Sequence, residues 1–93
     1  MAEGRKARVT KKLQALKVEY ANLAAKFGRG QLHDYNKAFQ QICRSKLVKE
    51  MLEDENGYAH ITCLPKGELV RVTVEYGNSF CQYPLIVGDF KPL

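Results

Sequence analysis

The residues best suited to chemistry in this sequence are its histidines and cysteines. His60 and Cys63 lie three positions apart in a stretch of alternating apolar residues, so on a strand their side chains point to opposite faces. A structural zinc site needs four converging nitrogen or sulfur ligands, and the sequence holds no Cys-x-x-Cys pair. His33 has no second ligand near it. We therefore predict no metal site and no bound cofactor.

The nucleophiles and carboxylates give no catalytic pattern. Cys63 or Cys81 beside a histidine can form a thiolate pair in principle, but no spacing favours one. Glu53-Asp54-Glu55 is typical of a solvated helix end, and Glu68 and Glu75 occupy outward strand positions. We predict a non-enzymatic chain without catalytic residues or a small-molecule substrate.

Basic side chains are concentrated at the beginning of the chain. The net charge is +5, and residues 1–30 hold eight Lys and Arg against two acidic residues, whereas later segments are nearly balanced. A cationic helix can neutralise several phosphates of a nucleic acid, although a solvated helix face explains the same pattern. The candidate nucleic-acid-binding residues are Arg5, Lys6, Arg8, Lys11, Lys12 and Lys17.

A long helix must carry these basic residues. Apolar side chains follow a 4-3-4-3-4 spacing that is typical of a seam packed against another helix. This seam comprises Val9, Leu13, Leu16, Tyr20, Leu23 and Phe27. Gly28-Arg29-Gly30 predicts the helix end, because glycine adopts the left-handed conformation of a C-cap. We assign residues 1–8 to a basic arm and residues 9–55 to the helical part.

A second helix follows, with Asp34 as its expected N-cap and an apolar stripe from Leu32 to Ile42. The apolar stripe then shifts to another side of the helix. Residues 32–54 therefore form either one long helix or two helices separated near Ser45. Asn56-Gly57 ends the segment.

From Tyr58 the apolar period becomes two, which predicts strands. Three strands over residues 58–87 form an antiparallel meander, and residues 88–93 form a tail. Pro84 cannot donate to a neighbouring strand, which predicts that the third strand lies at an edge or is interrupted there. The fold class is α+β: an N-terminal helical hairpin followed by a three-stranded β-meander, in one domain of 93 residues.

The seam of helix 1 is longer than the matching stripe of helix 2, so we expect part of it to meet a second chain. The function that follows is a protein-interaction module, a small subunit of a homo-oligomer or hetero-complex that associates through helix 1. The alternative is a nucleic-acid-binding protein that uses residues 5–17. The predicted helix interface consists of Val9, Leu13, Leu16, Val18, Tyr20, Leu23 and Phe27.

Location and membrane contact follow from composition. Three cysteines, Cys43, Cys63 and Cys81, are an odd number, which favours reduced thiols in the cytosol or nucleus over a secreted disulfide set. No apolar run approaches the roughly 20 residues of a membrane span, and the charged start resembles no signal peptide. We therefore expect no membrane partner.

Overall fold

A computed structural model describes residues 4–93, except for the side chains of residues 29, 30 and 32–34. Three helices come first: α1 (Arg5–Ala24), α2 (Arg29–Arg44) and α3 (Lys46–Glu53). Three strands follow: β1 (Tyr58–Lys66), β2 (Leu69–Gly77) and β3 (Gln82–Phe90). The strands form one antiparallel sheet in the order β1-β2-β3. The predicted α+β class is confirmed.

The N-terminal helix starts and stops earlier than the sequence predicts. Residues 5–8 of the expected arm are already helical, and residues 1–3 lie outside the described chain. The helix ends at Ala24, and Gly28 is the N-cap of α2 with φ −66, so its C-cap role is wrong. Phe27 leaves the helical path because it bridges to Pro92, and its ring centroid lies 4.7 Å from that of Phe90.

Ser45 divides the rest of the helical part. α2 ends at Arg44, and the Ser45 hydroxyl accepts a hydrogen bond from the Val48 N–H at 3.4 Å as the N-cap of α3. Residues 32–54 therefore form two helices. Because α2 begins at Arg29, Asp34 is not its N-cap but an interior residue; the side chains of Asp34 and its neighbours Leu32 and His33 are outside the described residues.

The helices cover one face of the sheet. Val72 and Val74 of β2 are completely buried there, since alternate strand residues share a face. Phe90 of β3 closes the same core against Tyr35 of α2, with ring centroids 4.1 Å apart. α1 packs on β1 and α3, and it meets α2 through the stacked rings of Tyr20 and Phe39.

The two sheet edges are protected differently. On β1, the Ile61 N–H donates to the Glu19 carboxylate of α1 at 3.0 Å, so the helix covers that edge. Pro84 lies on β3, which is an outer strand of the sheet and pairs only with β2, where Glu75 is opposite. The predicted edge position of Pro84 is confirmed.

The last strand extends past the predicted boundary. Residues 88–90, assigned to the tail, belong to β3, where they pair with residues 70–72 of β2 and also contact α2. A side chain on Gly88 would lie 2.1 Å from the Tyr35 ring, and the Tyr35 hydroxyl donates to the Asp89 carbonyl at 2.5 Å. This contact joins residues far apart in sequence, so local pattern does not reveal it.

Candidate interaction site along α1

The predicted helix interface serves mainly the chain's own core. Four of its residues are buried, with exposed fractions of 8% or less: Val9, Leu16, Tyr20 and Phe27. Leu13 and Leu23 are partly buried against them, and Val18 alone is well exposed, at 58%. The expectation that the seam exceeds what one chain can cover is wrong, because α3 and β1 cover it together with α2.

Two of the predicted nucleic-acid-binding cations hold the end of α3. Lys12 Nζ donates to the carbonyls of Asp54 at 2.8 Å and Leu52 at 3.3 Å, and Arg8 Nη1 donates to that of Glu53 at 2.5 Å. The last carbonyls of a helix lack intrahelical donors and attract cations. Burial, and then the nearby Arg8 charge, lower the pKa of Lys12. These side chains belong to the fold.

A groove lies along the opposite flank of α1 and is made of two hollows that meet at Lys17. The alanine hollow, about 770 Å³, is lined by Lys17, Tyr20, Ala21, Ala24, Ala25, Phe27, Gly28, Asn36, Phe39, Gln40 and Leu93. The lysine hollow, about 530 Å³, is lined by Arg5, Lys6, Val9, Thr10, Leu13, Gln14, Lys17, Lys49 and Glu53. We call the two together the α1 groove.

The alanine hollow has a mixed lining, with aromatic rings and small residues beside the polar side chains of Lys17, Asn36 and Gln40. Tyr20 and Phe39 stack with ring centroids 4.0 Å apart and planes inclined by 7°, and both are buried. Ala21 and Ala24 leave the α1 backbone accessible to another element, as small residues do at helix contacts. The buried Tyr20 hydroxyl has no hydrogen-bond partner among the described residues, and burial raises its pKa.

The lysine hollow combines an apolar floor with a basic rim. Val9 and Leu13 form the floor. Its charged lining residues are Arg5, Lys6, Lys17, Lys49 and Glu53. Three of the six predicted nucleic-acid-binding residues, Arg5, Lys6 and Lys17, are thus brought together here, whereas Arg8, Lys11 and Lys12 do not line the groove.

The solvent face of the sheet carries paired charges. Arg71 and Asp89 form a two-bond ion pair at 2.8 and 3.2 Å, and the Arg71 side chain lowers the pKa of the Asp89 carboxyl. His60 Nε2 lies 3.1 Å from Glu75 Oε2. Each pair satisfies its own members, so this face offers less unmatched charge than the α1 groove.

The residues considered first for chemistry are dispersed. His60 lies on the solvent face of the sheet, and the buried Cys43, the exposed Cys63 and the half-buried Cys81 are all free. Across residues 4–93, no three His, Cys, Asp or Glu side chains with described positions are grouped to hold a metal ion.

Comparison of the chain with protein-family models, with curated proteins and with solved structures finds no match. No helix in the described part of the chain has both the length and the apolar character needed to cross a bilayer. The geometry of the α1 groove is therefore the basis for a functional proposal.

Sequence reasoning missed the groove's contribution from other helices. Lys49 of α3 and the pair Asn36 and Gln40 of α2 reach it only through the packing of three helices. Val18, Ala21 and Ala25 form a second, small-residue stripe at helical spacing on α1, and Val18 lies outside the groove. That stripe was the available signal, and Ala21 and Ala25 do line the groove.

Proposed function

We propose that the chain is a non-enzymatic protein-interaction module that binds an amphipathic helix of a partner protein in the α1 groove. The observation that carries the proposal is an apolar-floored groove on the helix whose seam is already buried. The proposal keeps α1 as the interacting helix, but the contact lies on one flank of α1 and reaches the seam only at its edge, where Val9, Leu13 and Tyr20 line the groove.

The length of α1 allows a partner helix to lie along the groove. α1 has 20 residues and so is about 30 Å long at 1.5 Å per residue. A partner segment of similar length can place residues i, i+3, i+4 and i+7 on the floor while its polar face stays in water. The alanines favour close contact between the two backbones.

A different protein fits the groove better than a second copy of this chain. The rim is basic, and α1 itself holds six Lys and Arg against one Glu, so a second α1 would meet like charge. An acidic run, Glu53-Asp54-Glu55, ends α3, but the apolar face of that helix is used in the core, where Val48, Met51 and Leu52 are buried. We therefore favour a hetero-complex, and the three free cysteines support a cytosolic or nuclear location.

Nucleic acid is the second candidate, favoured by the clustering of Arg5, Lys6, Lys17 and Lys49. Two observations place it second. Arg8 and Lys12 are engaged with α3, and the buried rings of Tyr20 and Phe39 face each other rather than leaving a face for base stacking.

The test is a selection from a library of helical peptides with a fixed apolar stripe and a randomised polar face. Enriched peptides are measured on the wild type, on Ala21→Arg, which fills the alanine hollow, and on Ala15→Arg. Ala15 is an exposed residue of the same helix outside the groove, so it is a matched control.

We expect peptides that bind the wild type and Ala15→Arg alike and lose about tenfold in affinity on Ala21→Arg, which corresponds to about 1.4 kcal/mol. Equal binding to all three proteins, or no enrichment, overturns the proposal. Duplex DNA that binds and is displaced by salt, with no peptide enriched, supports the second candidate instead.

A further inference from the structure

The α1 groove has a charge gradient along its length. The lysine hollow has four cationic lining residues, Arg5, Lys6, Lys17 and Lys49, against the single carboxylate of Glu53. The alanine hollow shares Lys17, and its other polar lining side chains are the hydroxyl of Tyr20 and the amides of Asn36 and Gln40. Among the side chains whose positions are described, the groove is thus basic at the start of α1 and carries no charge beyond Lys17 towards its end.

We infer that the partner helix is acidic at one end only, and that this acidic end lies in the lysine hollow. The inference rests on the proposed function and specifies its partner. Carboxylates of the partner would meet Lys6 and Lys49 across the hollow, while apolar and uncharged polar residues would lie over Tyr20 and Phe39.

Phosphates fit this arrangement less well than carboxylates on a helix. Val9 and Leu13 form an apolar floor between the cations, which a helix with one apolar face covers and a phosphate backbone does not. The rim cations are exposed, so their contribution is mainly to orientation and specificity.

The experiment uses three peptides of about 18 residues with one apolar stripe, long enough to follow α1. The first has glutamates in one half, the second has lysines in those positions, and the third has glutamines there. Fluorescence anisotropy gives their affinities for the wild type, for Lys6→Glu/Lys49→Glu and for Lys37→Glu/Lys46→Glu. The last variant makes the same change in net charge at exposed lysines outside the groove.

We expect the glutamate peptide to lose about tenfold in affinity on Lys6→Glu/Lys49→Glu and about twofold or less on the control variant. The lysine peptide should bind Lys6→Glu/Lys49→Glu better than the wild type. A spin label at the acidic end should broaden the amide signals of Val9 and Leu13 and leave that of Phe39 sharp.

Three results overturn the inference: equal losses on both double variants, equal affinity of the three peptides for the wild type, or broadening at Phe39 instead. If the glutamine peptide binds as well as the glutamate peptide and both lose affinity on Ala21→Arg, the acidic end is refuted while the proposed function stands. If no peptide depends on Ala21, the proposed function fails as well.

Discussion

Lys12 of α1 and Asp54, just past the end of α3, are joined by a hydrogen bond of 2.8 Å from the ammonium to the backbone carbonyl. The two residues are far apart in sequence, and the bond fixes α1 across the C-terminus of α3. It also removes one cation from the basic surface that the sequence offers to a partner. The flank of α1 that remains exposed is the one that lines the groove.

Replacing Lys12 tests this joint. Lys12→Met keeps the aliphatic stem but leaves the α3 carbonyls to water, so we expect a loss of about 1 kcal/mol in unfolding free energy. For a chain of this size the thermal midpoint should fall by roughly 4–8 °C. Lys17→Met, on the exposed flank of the same helix, should change the unfolding free energy by no more than about 0.5 kcal/mol. If Lys12→Met and Lys17→Met lowered the free energy of unfolding in urea equally, Lys12 would not stabilise the C-terminus of α3.

Leu16 tests the internal use of the seam. Leu16 is 1% exposed, so Leu16→Ala should cost about 2–5 kcal/mol of unfolding free energy through lost burial and the cavity left behind. Val18 is 58% exposed, and Val18→Ala should cost about 0.5 kcal/mol or less. Urea titration of both variants gives the comparison, and a small effect of Leu16→Ala would mean that the seam is not part of the core. Because a polar side chain at position 16 would destabilise the core itself, such a substitution does not test whether α1 binds a partner.

Gly88 tests the contact between α2 and β3. In Gly88→Ala the new methyl group would lie about 2.1 Å from the Tyr35 ring, so we expect a loss of roughly 1–3 kcal/mol from overpacking. In a double-mutant cycle with Tyr35→Ala, the alanine at position 88 should become less damaging, with a coupling of about 1 kcal/mol. Purely additive effects would contradict the close approach of the ring.

Asp89 gives the chain an acid-sensitive contribution to stability. Hydrogen bonds from the Arg71 side chain hold the pKa of Asp89 below its ordinary value of 3.8. Between the lowered pKa of the folded chain and the ordinary pKa of the unfolded chain, Asp89 binds a proton more readily in the unfolded chain. The free energy of unfolding therefore rises with pH in that range. The contribution is complete above about pH 5 and is lost progressively as the pH falls from the ordinary pKa through the lower pKa of the folded chain. Denaturant titrations should show a gap between wild type and Asp89→Asn that is constant near neutrality and narrows below about pH 4. A gap independent of pH would contradict the ion pair.

Periodicity predicted most of the fold because it reports which side chains face a core. The seam of α1, the Ser45 break and the alternation of β2 all follow from local spacing. What periodicity does not report is which neighbour covers a face. Because α3 and β1 pack on the seam of α1, that seam does not extend beyond what the chain covers. The contact of Phe27 with Phe90 ends α1 at Ala24, before Gly28.

The candidate site was predictable only in part for the same reason. A count of charges identified Arg5, Lys6 and Lys17, but it did not separate them from Arg8 and Lys12, whose partners lie on α3. The separation depends on which way each side chain leaves the helix once α3 is in place.

The most direct measurement is an amide NMR titration of the labelled chain with an amphipathic helical peptide selected for binding. Docking in the α1 groove should shift the amide signals of Ala21, Ala24 and Gln40 and leave those of Ala15 and Thr62 in place. Shifts centred on the solvent face of the sheet, or on the outer face of α1 around Val18, would contradict the groove as the docking surface.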